Sequence, residues 1–318
     1  LAMLKRLRYV HYIIVNFIMF VLLLVGIVHA LPPISACAVT PIWRDEHRRL
    51  IVDVAAGNFE TMTNQLVVAT HYFVGLLAHK EVFWRINHLP LPLQSDNDYY
   101  TGVAIENIDP LTSEDEIIVV TSRGRVTVLR HSDGNWSFTT IYQHIMDQEE
   151  RFFMVTVGDI GDTANQILIA GGKRFWYHDE SGVIVLLSRI DNSEWNATRI
   201  VVDEPVASVD IGDFDQRYYG NECVVTGVSG AVMEIACLDS NQWIEEQICR
   251  IGDLFPAATV GDVNPTHPGN EVAIVAGEGV FLIYQTETTW ASTLIWEDQD
   301  RGFNFLHDVA IGETNIGH

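Results

Sequence analysis

Short apolar runs of five or six residues, rich in Val and Ile, recur along this chain, and Gly, Asn or Asp closes each of them. Residues 257–290 carry the pattern most clearly. A β-branched run ends at Gly261-Asp262, a polar loop closes on Gly269-Asn270-Glu271, an apolar run spans 272–276, and Gly277 to Gly279 turns into a second run over 280–285. A polar turn then delivers Trp290. Runs this short, bounded by turn residues, predict strands; amphipathic helices need longer stretches with a helical period.

The same order returns at residues 155–172 and 208–235, in weaker form at 103–130 and 52–70, and a sixth copy opens at His307-Asp308-Val309. Gly57, Glu106, Gly158, Gly212, Gly261 and Gly312 mark the copies at steps of 49, 52, 54, 49 and 51 residues. Trp84, Trp136, Trp195, Trp243 and Trp290 keep the same step, each after a polar cluster. Two landmarks in register at a period of roughly 50 residues predict an all-β fold, a β-propeller of four-stranded blades. Five full repeats plus the start of a sixth occupy residues 50–318. The expectation is a truncated six- or seven-bladed ring that continues past His318, because ring closure removes the exposed sheet edges.

Ahead of the repeats, Lys5, Arg6 and Arg8 precede an apolar run over 12–30 that ends in Val28-His29-Ala30. Residues 1–30 therefore read as a secretory signal peptide, with an uncleaved membrane anchor as the alternative. A lipoprotein signal around Cys37 is a third reading. Residues 31–49, with Pro32, Pro33 and Pro41 and no period, form a linker. All of these place the repeats outside the cytosol, secreted or at the cell surface, with membrane contact only through the N-terminal segment if it is retained.

The formal net charge of −23 excludes nucleic acid as the expected partner, since a polyanion needs a basic footprint. Asn135-Trp136-Ser137 and Asn196-Ala197-Thr198 are glycosylation sequons in the same turn of their repeats. Cys223 and Cys237 flank one hairpin turn, where an oxidising compartment allows a disulfide; buried free thiols are the alternative.

The Gly-Asp pair followed by Asp or Asn and then Asn-Glu resembles the FG-GAP and VCBS repeat family of integrin-alpha-type propellers, over residues 50–318. That resemblance implies a structural calcium ion in the loop between the first and second strands. Calcium collects six to eight oxygens, so closely spaced acids are required. Matching residue by residue, Asp213 and Asp215 fill the first two acidic positions of one loop, and Asp262 and Asn264 those of another. Insertions such as Gln216-Arg217-Tyr218-Tyr219 depart from the compact family loop. The alternative for these acids is an Asx-turn, in which Asp accepts N–H bonds from its own loop.

No catalytic constellation stands out. Gly227-Val228-Ser229-Gly230 is followed by no helix and is not a nucleophile elbow. The expected activity is recognition of an extracellular protein or glycan; a structural role in an extracellular array and a propeller-fold polysaccharide lyase are the alternatives. Aromatic and arginine side chains gather in the crossovers between repeats and beside them: Tyr99, Tyr100, Arg151, Phe152, Trp176, Tyr177, Phe255, Arg301 and Phe303. Interfaces favour these residue types, so they mark a candidate partner-binding face. The opposing reading is that they plug gaps between blades, as the repeated Trp residues do if they are not sugar platforms.

Overall fold

The structure is a computed structural model that describes residues 51–297, apart from short interruptions in loops and turns, together with Val309. The leader, the linker and Cys37 lie outside the described residues.

Among the described residues, five antiparallel sheets of four strands follow one another along the chain. Blade 1 comprises β1 (Ile51–Phe59), β2 (Met62–Thr70), β3 (Val74–Lys80) and β4 (Phe83–His88). Blade 2 comprises β5 (Tyr100–Glu106), β6 (Glu116–Thr121), β7 (Arg125–Ser132) and β8 (Asn135–Gln143). Blade 3 comprises β9 (Glu150–Ile160), β10 (Thr163–Lys173), β11 (Gly182–Arg189) and β12 (Trp195–Val202). Blade 4 comprises β13 (Val206–Gly212), β14 (Glu222–Gly227), β15 (Ala231–Asp239) and β16 (Gln242–Arg250). Blade 5 comprises β17 (Ala257–Gly261), β18 (Glu271–Ala276), β19 (Gly279–Gln285) and β20 (Trp290–Glu297).

Within every blade the strands pair in sequence order, so hairpin turns suffice and no crossover helix is needed. First strands of neighbouring blades lie against each other, β1 on β5, β5 on β9, β9 on β13 and β13 on β17. This explains the glycine that marks the period. A Cβ on Gly57 would run into Ile105, and one on Gly212 into Val260, each on the next blade's first strand.

Burial follows position in the blade. Second strands such as β6, β14 and β18 are buried along their whole length; β6 and β14 have a neighbouring blade on each face, while β18 has blade 4 on one face and Val309 on the other. Their sequences accordingly run without alternation, as Glu-Ile-Ile-Val-Val-Thr does in β6. Fourth strands are largely exposed. The core is a series of interblade layers. One joins blades 2 and 3 through Ile118, Val126, Phe152 and Ile169. Another joins blades 4 and 5 through Val224, Val232, Ile248, Ile274 and Ile283. Trp136, Trp195, Trp243 and Trp290 are half-buried and pack against these layers, so the second landmark of the repeat is a wedge between blades.

Side chains on the first strands also clamp blade to blade. Asp53 Oδ2 accepts from Val103 N at 2.8 Å, and Ser208 Oγ from Ala258 N at 3.2 Å, both 50 residues along the chain. Asp210 makes the densest of these links. Its Oδ1 accepts from Ile211 N (2.9 Å) and Thr156 Oγ1 (3.2 Å). Its Oδ2 accepts from Val260 N and Thr259 Oγ1, both at 2.9 Å. One carboxylate thus ties together the first strands of blades 3, 4 and 5. Desolvation pushes its pKa above the ordinary Asp value, against the lowering pull of those four donors.

The hairpin disulfide is not formed. Cys223, Cys237 and Cys249 are free thiols, and across the β14–β15 pairing Cys223 stands opposite Ile235. Cys237 is displaced by two residues along the strand, and both side chains serve as small apolar groups in the layer between blades 3 and 4. Burial raises the Cys223 thiol far above its usual pKa, which keeps it protonated and unreactive.

Candidate functional site

The loop joining β13 to β14 organises a site between blades 4 and 5. Glu222, the first residue of β14, is buried, and its Oε2 accepts from Phe214 N and Asp215 N, each at 3.2 Å. Glu116 Oε2 does the same for Ile108 N at 3.0 Å, and Glu271 Oε2 for Val263 N (2.9 Å) and Asn264 N (3.0 Å). The glutamate of the Asn-Glu signature therefore closes its own loop by binding N–H groups.

Asp215 is fully buried. Its Oδ1 accepts from Arg217 N at 2.8 Å, an Asx-turn, and from Gln285 Nε2 of blade 5 at 2.6 Å. Its Oδ2 accepts from Arg217 Nε at 2.7 Å and pairs with Nη2 at 2.5 Å. The calcium expectation meets a physical obstacle here. Both oxygens of the better-placed ligand already face donors, and a guanidinium occupies the side from which a cation would approach. The partner acid Asp213 is exposed and not drawn into this cluster. In the other loop Asp262 is exposed, and Asn264 is held by its backbone N–H on Glu271. The described residues hold no group of three or more His, Cys, Asp or Glu placed to share a metal ion. Asp215 does not fit the calcium site that the resemblance implied.

An equivalent link joins blades 2 and 3. Asp109 pairs with Arg189 Nη1 at 3.1 Å and with Arg130 Nη2 at 3.5 Å. Arg189 and Gln285 are both the last residue of a third strand, so the second acid of the loop reaches the next blade at the same place in each case.

Arg217 carries the chemistry of the site. Its Nη2 also reaches Glu234 Oε2 at 3.0 Å and Glu246 Oε2 at 2.9 Å. Asp215 and Glu234 are buried, whereas Arg217 and Glu246 are 44% and 42% exposed, so the ion cluster opens outward through these two. Burial raises Glu234, and the charge of Asp215 and a hydrogen bond with it raise it further, to about 8. Burial also pushes up Asp215, but hydrogen bonds from Arg217, Glu234 and Gln285 outweigh it and hold Asp215 below the usual Asp value. Of the pair, Glu234 is the acid whose protonated form is favoured and Asp215 the one whose charged form is favoured. Glu222 is raised by burial to about 7, with its loop N–H bonds opposing the shift.

Above the cluster lies a cleft of 480 Å³, lined among others by Gln216, Arg217, Glu246, Gln285, Thr289 and Trp290. Trp290 leans on Phe214 with ring centroids 5.9 Å apart, so its apolar face is fixed by the interblade layer. The cleft combines a rigid indole, a guanidinium, a carboxylate and amide groups. It is suited to holding a polar ligand that also has an apolar face.

No protein-family model and no curated protein matches the chain. Among solved structures, the BP39L lectin from Burkholderia pseudomallei is similar with a TM-score of 0.53, at 13% identity, over 76% of this chain and 69% of that one. BBS1N, in a complex with ARL6DN soaked with mercury, is similar with a TM-score of 0.50, at 13% identity, over 77% of this chain and 69% of that one. The chain has the β-propeller fold. At this identity the likeness shows the architecture alone.

The propeller separates the expected partner-binding residues. Tyr100 is buried, its hydroxyl donating to Leu91 O at 2.7 Å, and burial raises its pKa to about 12. Phe152 is fully buried in the layer between blades 2 and 3. Neither can meet a partner: first strands lie at the blade boundaries, so an aromatic at their start turns inward. Tyr99 is half-buried against the His71 ring at 4.7 Å, and Arg151 is half-buried with Nη1 on Glu150 O at 2.8 Å. Trp176, Tyr177, Phe255, Arg301 and Phe303 lie outside the described residues. Both sequon asparagines, Asn135 and Asn196, are exposed at the start of fourth strands.

Sequence reasoning passed over Arg217, Glu234, Glu246 and Gln285. Arg217 sits in the stretch that departs from the family loop, and an arginine two residues after a loop aspartate was the available signal. Glu234 and Glu246 face each other across the β15–β16 pairing of blade 4, and blade packing brings Gln285 to them from β19.

Proposed function

We propose that this propeller is a binding module whose recognition surface includes the cleft between blades 4 and 5, and that its partner is a glycan, with a protein as the second class. The carrying observation is the cleft itself, where Trp290 stands beside Arg217 and Glu246. The similar structures support a binding role in general terms, one being a lectin and the other held in a complex with ARL6DN. Fold alone does not fix function, so the chemistry of the cleft bears the weight. A secreted or cell-surface location, glycosylation at Asn135 and Asn196, and kinship with the FG-GAP and VCBS repeats belong to the same reading. The test is a glycan array probed with the chain expressed in a eukaryotic secretory host. Binding to a restricted set of glycans is expected, together with a mass loss on N-glycosidase treatment. An empty array combined with no captured protein partner would refute the module reading.

The ring is further proposed to carry a sixth blade. Blades 2, 4 and 5 each have a β-bulge in the fourth strand whose extra residue is isoleucine, Ile141, Ile248 and Ile295. Ile141 packs into the layer with blade 3 and Ile248 into the layer with blade 5, but Ile295 is 51% exposed, flanked by exposed Leu294 and Trp296. Val309 already packs on the same flank of blade 5, against Ala257, Ala273, Val275 and Leu282. A protein carrying a further repeat copy should show blue-shifted Trp296 emission and amide protection at residues 294–296. Full solvent exposure there would end the idea.

A further inference from the structure

Resting on the binding-module reading, the ligand class of the cleft follows from which hydrogen-bonding edges are left open. Arg217 spends Nε and Nη2 on Asp215, Glu234 and Glu246. Its Nη1 makes no hydrogen bond to a described residue, and neither does Glu246 Oε1. The open edge of the site is therefore a donor and an acceptor side by side, bound to each other through Nη2 and Oε2 at 2.9 Å. Beside them stands the half-buried Trp290.

We propose that the cleft between blades 4 and 5 binds a neutral saccharide, whose adjacent hydroxyls bridge Arg217 Nη1 and Glu246 Oε1 while a C–H face of the ring lies on Trp290. Exclusion of other ligand chemistries supports this choice. A carboxylate or phosphate satisfies Arg217 and is repelled by Glu246. A lysine or arginine from a partner satisfies Glu246 and is repelled by Arg217. A hydroxyl both donates and accepts, so a pair of them meets both edges without leaving a desolvated charge unpaired. Beneath, Asp215 and the chain's overall charge of −23 weigh further against an anion. The 480 Å³ volume falls within the range of small-ligand pockets and suits one or two sugar rings.

Arg217 is unsuited as the first test, because its removal leaves buried Asp215 without its cation. Glu246 is exposed, and Glu246→Ala leaves the buried pair intact. Wild-type protein and this variant would be titrated by calorimetry with glucose, galactose, mannose and fucose, and with glucuronic and galacturonic acids. At least one neutral sugar is expected to bind, with its uronic acid counterpart weaker. Glu246→Ala should lose roughly tenfold or more in affinity, the scale of a hydrogen bond to a charged group, with an unchanged melting curve. Sugar binding that survives in the variant would move the site elsewhere and overturn the inference while leaving the module reading intact. Equal or tighter binding of the uronic acids would overturn it as well, and so would a failure of every sugar in the panel; a positive glycan array in that last case preserves the module.

Discussion

Replacing Asp210 by alanine is expected to cost about 3 kcal/mol of stability, the scale of leaving several buried donors unpaired. The carboxylate accepts four hydrogen bonds, two from backbone N–H groups and two from threonine hydroxyls, and three blades contribute them. The hydroxyls of Thr156 and Thr259 can rotate toward other acceptors. Ile211 N and Val260 N are fixed by their strands and cannot. In a protein of this size the loss corresponds to a drop in Tm on the order of 5 °C. Asp210→Asn should fall between wild type and alanine, since one oxygen remains for two of the four donors. Thermal unfolding of the two variants measures this; a Tm for Asp210→Ala equal to that of wild type would show that the clamp contributes nothing.

Raising the pH should weaken the fold through Glu234, and Glu234→Gln should remove most of that dependence. The folded-state pKa of about 8 lies above the ordinary value of 4.5. The folded protein therefore holds a proton that the unfolded chain releases, so stability falls as pH rises from about 4.5 to about 8 and levels off above. At one pKa unit per 1.36 kcal/mol, the full effect is on the order of 5 kcal/mol. Glu222, raised to about 7, adds in the same direction. Glutamine reproduces the protonated acid, because its carbonyl can accept from Arg217 while its amide donates to Asp215. Chemical denaturation at pH 5 should find the variant close to wild type, and at pH 9 the variant should be the more stable. A parallel loss in both proteins across that range would assign the pH dependence to other groups.

Much of the architecture was legible in the sequence because the same physical constraint recurs every 50 residues or so. Gly57 and Gly212 mark the period since a side chain there would collide with the next blade's first strand. Trp136, Trp195, Trp243 and Trp290 mark it since they wedge into the interblade layers. Short apolar runs bounded by turn residues forecast the strands, and the second strands among them are buried along their whole length. Such rules are local and act identically in every copy, so the pattern alone exposes them. The site obeys no such rule. Asp215 was legible as an important acid, but the guanidinium two residues away that faces it was not, and neither were Gln285 and Glu234, which arrive from other strands. Tyr100 and Phe152 had the composition of an interface and the position of a core. Composition tells what a side chain can do once it is exposed; only the packing of one blade on the next decides whether it meets solvent, and which of the chain's many carboxylates share a proton, a cation or a cleft.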